Sequence, residues 1–132
     1  MSKITREQLQ KINNSCQNGW RLDVQYFLFH NEKRLYKHIE LDNENYLEFA
    51  LLYNYKNQIK LSINKFYHKQ NDTFAVSQGL GKSKILDDTV ATRKNTNNLI
   101  EFTKKLDDEQ LMEINSTTEV EQSIMFVPTP AF

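Results

Sequence analysis

From Trp20 to about Leu80 apolar and polar residues alternate with a period of two, and polar, Asn-rich turns interrupt the alternation. A period of two is the repeat of a strand with two distinguishable faces, so this stretch predicts an antiparallel sheet. Trp20–His30 and Lys33–Asp42 read as a hairpin closed by the two-residue loop Asn31-Glu32. Pairing His30 with Lys33 sets Leu28 against Leu35, Val24 against Ile39 and Leu22 against Leu41. A slip of one residue would set these side chains against polar ones, which specifies the register. Tyr46–Tyr55 continues the apolar face with Leu47, Phe49, Leu51 and Tyr53, and Ile59–His68 adds Ile59, Leu61 and Ile63. Phe74, Val76 and Leu80 mark a fifth strand after a Gln70-Asn71 turn; Lys82–Leu86 is either a sixth short strand or a loop.

Helices are predicted on both sides of this block. Thr5 and Gln8 have capping-box spacing, Ile4 and Leu9 sit where a hydrophobic staple closes, Leu9 and Ile12 form a narrow stripe, and Gly19 terminates the element after Cys16. Towards the other end Thr96 caps a helix presenting Leu99, Ile100, Phe102 and Leu106. Asp107 and Gln110 then repeat the capping-box spacing before Leu111, Met112 and Ile114. The expected fold is α+β: an N-terminal helix, a five- to six-stranded antiparallel meander, and C-terminal helices packed on one sheet face. Residues 1–115 form one domain, and 116–132 form a tail that is either flexible or docked through Ile124–Val127.

The second sheet face carries the candidate chemistry. The same register puts Arg21, Asp23, Gln25, Phe27 and Phe29 there from the first strand, and Arg34, Tyr36, His38 and Glu40 from the second. Tyr46, Glu48, Ala50 and Leu52 follow from the third, and Lys60, Ser62, Asn64, Phe66 and His68 from the fourth. A solvated face of a small sheet rarely needs so many aromatic rings. Such a face self-associates or is covered by the tail, binds another protein, or stacks nucleobases. The expected partner-binding residues are Phe27, Phe29, Arg34, Tyr36, His38, Lys60, Phe66 and His68.

Net charge is zero, but it is unevenly spread. All 17 Lys and Arg lie within residues 1–105 beside 11 of the 17 acids, so that part carries +6; the last 27 residues carry −6. Overall neutrality counts against nucleic acid, where phosphate neutralisation supplies much of the affinity. The single cysteine, Cys16, excludes an intrachain disulfide. No apolar run approaches the length of a membrane span and no signal-peptide core follows Met1, so a cytoplasmic protein away from membranes is expected.

Gly79-Leu80-Gly81-Lys82-Ser83 looks like the end of a phosphate-binding loop, but the P-loop spacing requires Gly where Val76 stands, and no helix start follows. A weaker anion or nucleotide site remains, a basic loop of Gly79, Gly81, Lys82, Lys84, Arg93 and Lys94. His38 and Glu40 share a face, and Glu40 and Glu48 are expected to meet across strands. Neither pair completes a metal or catalytic set, so no metal, cofactor or catalytic residue is expected.

In size and style, a short compact chain rich in Asn, Lys and Ile, the sequence resembles the small anti-defence proteins of phages and mobile elements, anti-CRISPR proteins among them. That resemblance covers no motif and assigns no residue a role; it implies action by binding, without catalysis. The leading expectation is a non-enzymatic binding protein, an inhibitor of a host defence protein. It would work through the aromatic and charged sheet face and through an acidic segment, Asp107–Glu121, that mimics phosphate charge. The alternative is a nucleotide or single-stranded nucleic-acid binder using the same rings with the basic loop.

Overall fold

The computed structural model describes residues 3–68, 75–77 and 81–120, with backbone alone for His68 and for 75–77. The elements are α1 (Arg6–Ser15), β1 (Arg21–Leu22), α2 (Val24–His30), β2 (Leu35–Glu40), β3 (Asn45–Tyr53), β4 (Ile59–His68), β5 (Ala75–Ser77), β6 (Lys82–Asp87), α3 (Thr96–Thr103) and α4 (Asp108–Thr117). The order along the sheet is β1-β2-β3-β4-β5, antiparallel throughout. β6 joins the edge that β4 turns away from β3, beside Ile59–Ile63, while β5 lies along the same edge at Phe66–His68. Lys82–Asp87 is therefore a sixth strand, and α4 runs to Thr117, past the boundary expected at 115.

The first predicted strand is the main correction. Only Arg21 and Leu22 are extended, pairing with Tyr36 and Leu35, and Val24–His30 is helix. Asp23 caps it, its carboxylate accepting the Tyr26 N–H at 3.0 Å. Asn31 ends it at φ 55, its N–H donating to the Phe27 carbonyl at 2.8 Å. Asn tolerates this left-handed conformation better than other non-glycine residues. Two good caps eight residues apart outweigh the strand propensity of Val, Tyr and Phe. The Asn31-Glu32 hairpin and the pairings of Leu28 with Leu35 and Val24 with Ile39 do not form, and Leu22 pairs with Leu35 instead of Leu41.

The remaining alternation holds its faces. Leu22, Leu35, Leu47, Phe49, Leu51, Tyr53, Ile59, Leu61 and Ile63 are buried with Trp20, Leu99, Ile100, Leu106 and Leu111 in one core between the sheet and the helices. Ile4, Leu9 and Ile12 of the α1 segment, and Met112 and Ile114 of α4, pack against it. Each large side chain removed from water contributes about 1.5–3 kcal/mol. The Trp20 indole N–H donates to the Leu106 carbonyl at 2.9 Å, and buried Thr103 accepts the Gln17 N–H at 3.0 Å while donating to the Ile100 carbonyl. These bonds tie the segment after α1 to the C-terminal helices and leave no indole or hydroxyl unsatisfied.

Caps and turns explain the boundaries. The Thr5–Gln8 capping box is complete in both directions, and Asp107 accepts the Gln110 N–H at 2.9 Å. Asn95, one residue earlier than expected, caps α3 through the Asn97 N–H. Asp42 closes the β2–β3 turn by accepting the N–H groups of Glu44 and Asn45, and these bonds hold its carboxyl below the usual carboxylate range. Lys37 lies on the helix-covered face, where its ammonium binds the Asn18 carbonyl and the Asp108 carboxylate. The predicted Gln70-Asn71 turn, Phe74 and Leu80 lie outside the described residues.

Candidate functional site

Strand register builds the second sheet face, which is open in the sense that none of the described helices covers it. Tyr36 stands opposite Ala50, His38 opposite Glu48 and Glu40 opposite Tyr46; on the next strand Glu48 meets Asn64 and Tyr46 meets Phe66. The Asp42 turn sets this register by pairing Leu41 with Asn45, the Leu41 N–H donating to the Asn45 carbonyl at 2.9 Å. Glu40 and Glu48 are therefore diagonal neighbours, and the expected carboxylate pair does not form; His38 takes Glu48 as its partner.

Four rings form a continuous row across three strands. Tyr36 and His38 have centroids 5.3 Å apart, His38 and Tyr46 4.5 Å, and Tyr46 and Phe66 5.5 Å with an interplanar angle of 17°. These are spacings at which aromatic pairs add to simple area burial. The strands fix the directions in which the rings leave the backbone, and the ring-to-ring contacts restrict their rotamers, which lowers the side-chain freedom lost when a partner arrives.

Beside the row lies a charged network with Glu48 at its centre. Arg34 donates from Nη1 to Asp23 at 2.5 Å and from Nη2 to Glu48 Oε1 at 2.7 Å. His38 Nε2 lies 3.1 Å from Glu48 Oε2. The guanidinium also lies 5.6 Å from the centroid of Tyr26, whose own ring packs 4.3 Å from that of His30. Burial pushes the Glu48 carboxyl up, but the hydrogen bonds and charges of His38 and Arg34 outweigh it and hold it below the usual carboxylate range. Burial, and after it the Glu48 charge, pushes the Tyr46 phenol up.

The predicted partner-binding residues separate into two groups. Arg34, Tyr36, His38, Lys60 and Phe66 share the open face. His68 pairs with Ala75 in the backbone, and its side chain is outside the description. Phe27 and Phe29 leave this face because they belong to α2: Phe27 is buried and Phe29 is 80% exposed. Asp23, Tyr26, Tyr46 and Glu48 join the site although they were not among the predicted contact residues. The register fixed by Asp42 and the cap at Asp23 are the sequence signals that point to them.

The basic loop does not come together. The Lys82 ammonium binds the Asn115 backbone carbonyl and side-chain oxygen at the end of α4, whereas Lys94 pairs with Glu32 at 2.6 Å. Lys84 pairs with Leu61 in the strand ladder and is exposed, as is Arg93. Gly81 has a packing role: a Cβ there would run into Asn64 Oδ1 and stand 3.2 Å from the Ile63 carbonyl oxygen. Gly79 lies outside the described residues. Of the acids around α4, Asp107, Asp108 and Glu109 stand where the helix dipole favours negative charge, and Glu113 lies in the second half of the helix. They lie on the helix-covered side, away from the ring row, and Glu121 is outside the described residues.

No helix among the described residues is long and apolar enough to cross a membrane. No protein-family model, curated protein or solved structure matches the chain.

Proposed function

We propose that this chain is a binding protein that seats another protein on the open face of its sheet and acts by occupying that partner, as an inhibitor does, without catalysing a reaction. The row Tyr36, His38, Tyr46 and Phe66, set ring to ring on three strands beside the Arg34–Glu48 network, carries this reading. Aromatic residues and arginine dominate the energetic centres of protein interfaces, and a preorganised platform lowers the entropy cost of docking. In this reading Tyr36 and Phe66 are the anchors, and Glu40 and Lys60 orient the partner at the rim. A reducing cytosolic setting suits the single cysteine, and a host defence factor is the partner class we favour.

Nucleobase stacking fits less well, because three of the cations it would use are already committed. Arg34 is shared between two carboxylates, Lys82 serves α4 and Lys94 serves Glu32. Phosphate neutralisation would have to come from elsewhere. The acidic segment is left out of the proposed contact surface, since its described acids lie on the opposite side from the rings.

The test is affinity capture from host extract with the wild-type chain and with a Tyr36→Ser/Phe66→Ser variant of unchanged thermal midpoint. A protein retained by the wild type and lost by the variant is the expected result. Retention of the same protein by both would reject the face, and retention of nuclease-sensitive oligonucleotide would move the reading to nucleic acid.

A further inference from the structure

We propose that a recess between α1 and α2 is a second docking site, one that takes an acidic protein segment burying a single large apolar side chain between carboxylates. The recess has a volume of about 230 Å³, with a floor of Ile4, Ile12 and Phe27 and a rim of Lys3, Lys11 and Lys33. Gln8 completes the wall, and no carboxylate lines it. Among the described residues none of the three lysines enters an ion pair.

The sequence creates this recess by helical spacing. Ile4, Gln8, Lys11 and Ile12 follow one another at three- to four-residue steps or adjacent to them, which brings them to the α2 side of α1. The Asp23 cap starts α2 so that Phe27 arrives one turn later at the floor, only 8% exposed. Lys33 follows the helix and holds its ammonium 5.1 Å from the Phe27 ring centroid, which keeps a cation at the mouth. Leu28 and Phe29 of α2, exposed by 54% and 80%, lie outside the recess.

Charge and size together choose the occupant. An apolar floor ringed by three cations complements an apolar side chain flanked by Asp or Glu. Small-molecule sites typically measure about 300–1,000 Å³, so this recess is better matched to one anchoring side chain. An anionic lipid surface would also attract the lysines and Phe29, but it would make no use of a recess with a buried aromatic floor.

The experiment is an NMR titration of the isotope-labelled full chain with an acetylated, amidated Asp-Glu-Phe-Asp-Glu peptide. The expected result is saturable shifts at the Ile4 and Ile12 methyls and the Phe27 ring. Affinity should fall about tenfold in a Lys3→Gln/Lys11→Gln/Lys33→Gln variant and fall comparably when alanine replaces the peptide's phenylalanine. Should the triple variant fold poorly, an Asn-Gln-Phe-Asn-Gln peptide on the wild-type chain tests the same charge requirement. Absence of saturable shifts at millimolar peptide, or affinity indifferent to the charges, would overturn the proposal. Binding to phosphatidylserine vesicles without peptide binding would overturn it too, in favour of a membrane contact.

Discussion

Replacing Glu48 with Gln perturbs the open face at the point where its charges converge. The carboxylate accepts from Arg34 at 2.7 Å and lies 3.1 Å from His38, and the Arg34 and Glu48 side chains are 14% and 18% exposed. A hydrogen bond to a charged group contributes about 1.5–3 kcal/mol, and partial exposure favours the lower end. Gln keeps one acceptor for Arg34 while removing the charge, so the expected loss at neutral pH is about 1–2 kcal/mol. With a urea slope of about 2 kcal/mol/M, the middle of the usual range, the midpoint should fall by roughly 0.5–1 M. The pH dependence has a definite sign. The Glu48 carboxyl is held below its ordinary value of 4.5, so its contribution is complete above that pH and disappears as pH falls through the folded-state value. Urea midpoints of wild type and Glu48→Gln should therefore converge as the pH is lowered from 4.5 through the folded-state value. A double-mutant cycle with Arg34→Met isolates the pair, and the coupling should be about 1 kcal/mol. Equal midpoints at neutral pH, or a difference that persists undiminished in acid, would refute the assignment of Glu48 as the charged hub.

Further outcomes follow from the core, the sheet edge and the lone thiol. Leu51→Ala and Leu61→Ala each empty a fully buried position and should cost about 2–5 kcal/mol in urea unfolding. Gly81→Ala should cost about 1–3 kcal/mol because the new methyl meets Asn64 and the Ile63 carbonyl, and adding Asn64→Ala should recover part of the loss. Burial pushes the Cys16 thiol up to about 11 against a smaller opposing effect of Arg21. That is two pH units above its ordinary 9.0, which cuts the thiolate about a hundredfold; the higher intrinsic nucleophilicity of the thiolate offsets part of this, so a disulfide reagent should modify it about tenfold more slowly than free cysteine in the folded chain, and at the normal rate in urea.

Much of the fold was legible because one face of β2, β3 and β4 had to be buried. Leu35, Phe49 and Leu61 fixed that face by alternation, and Tyr36, His38 and Phe66 then had to fall on the other. The alternation failed at Val24–His30, where its pattern also fits a short helix and the deciding information lay in the ends, Asp23 and Asn31. The helix takes Phe27 and Phe29 off the sheet face, whereas the strand pattern sets them on it and hides Asp23 and Tyr26 as companions of Arg34. Glu48 was placed on the correct face but matched with Glu40, because face follows from parity whereas the partner follows from turn length. The Asp42–Asn45 turn supplies that length. The Lys82 and Lys94 contacts join residues 33 and 62 positions apart in the chain, which no local pattern encodes.

The central claim is that the open sheet face meets a partner protein, and site-specific photocrosslinking in the native host tests it most directly. A benzophenone amino acid placed at Tyr36 or at Phe66 should each trap the same protein, while the probe at Tyr55, exposed at the β3–β4 turn, should trap none. Adducts shared equally by all three positions, or none from Tyr36 and Phe66, would contradict the account.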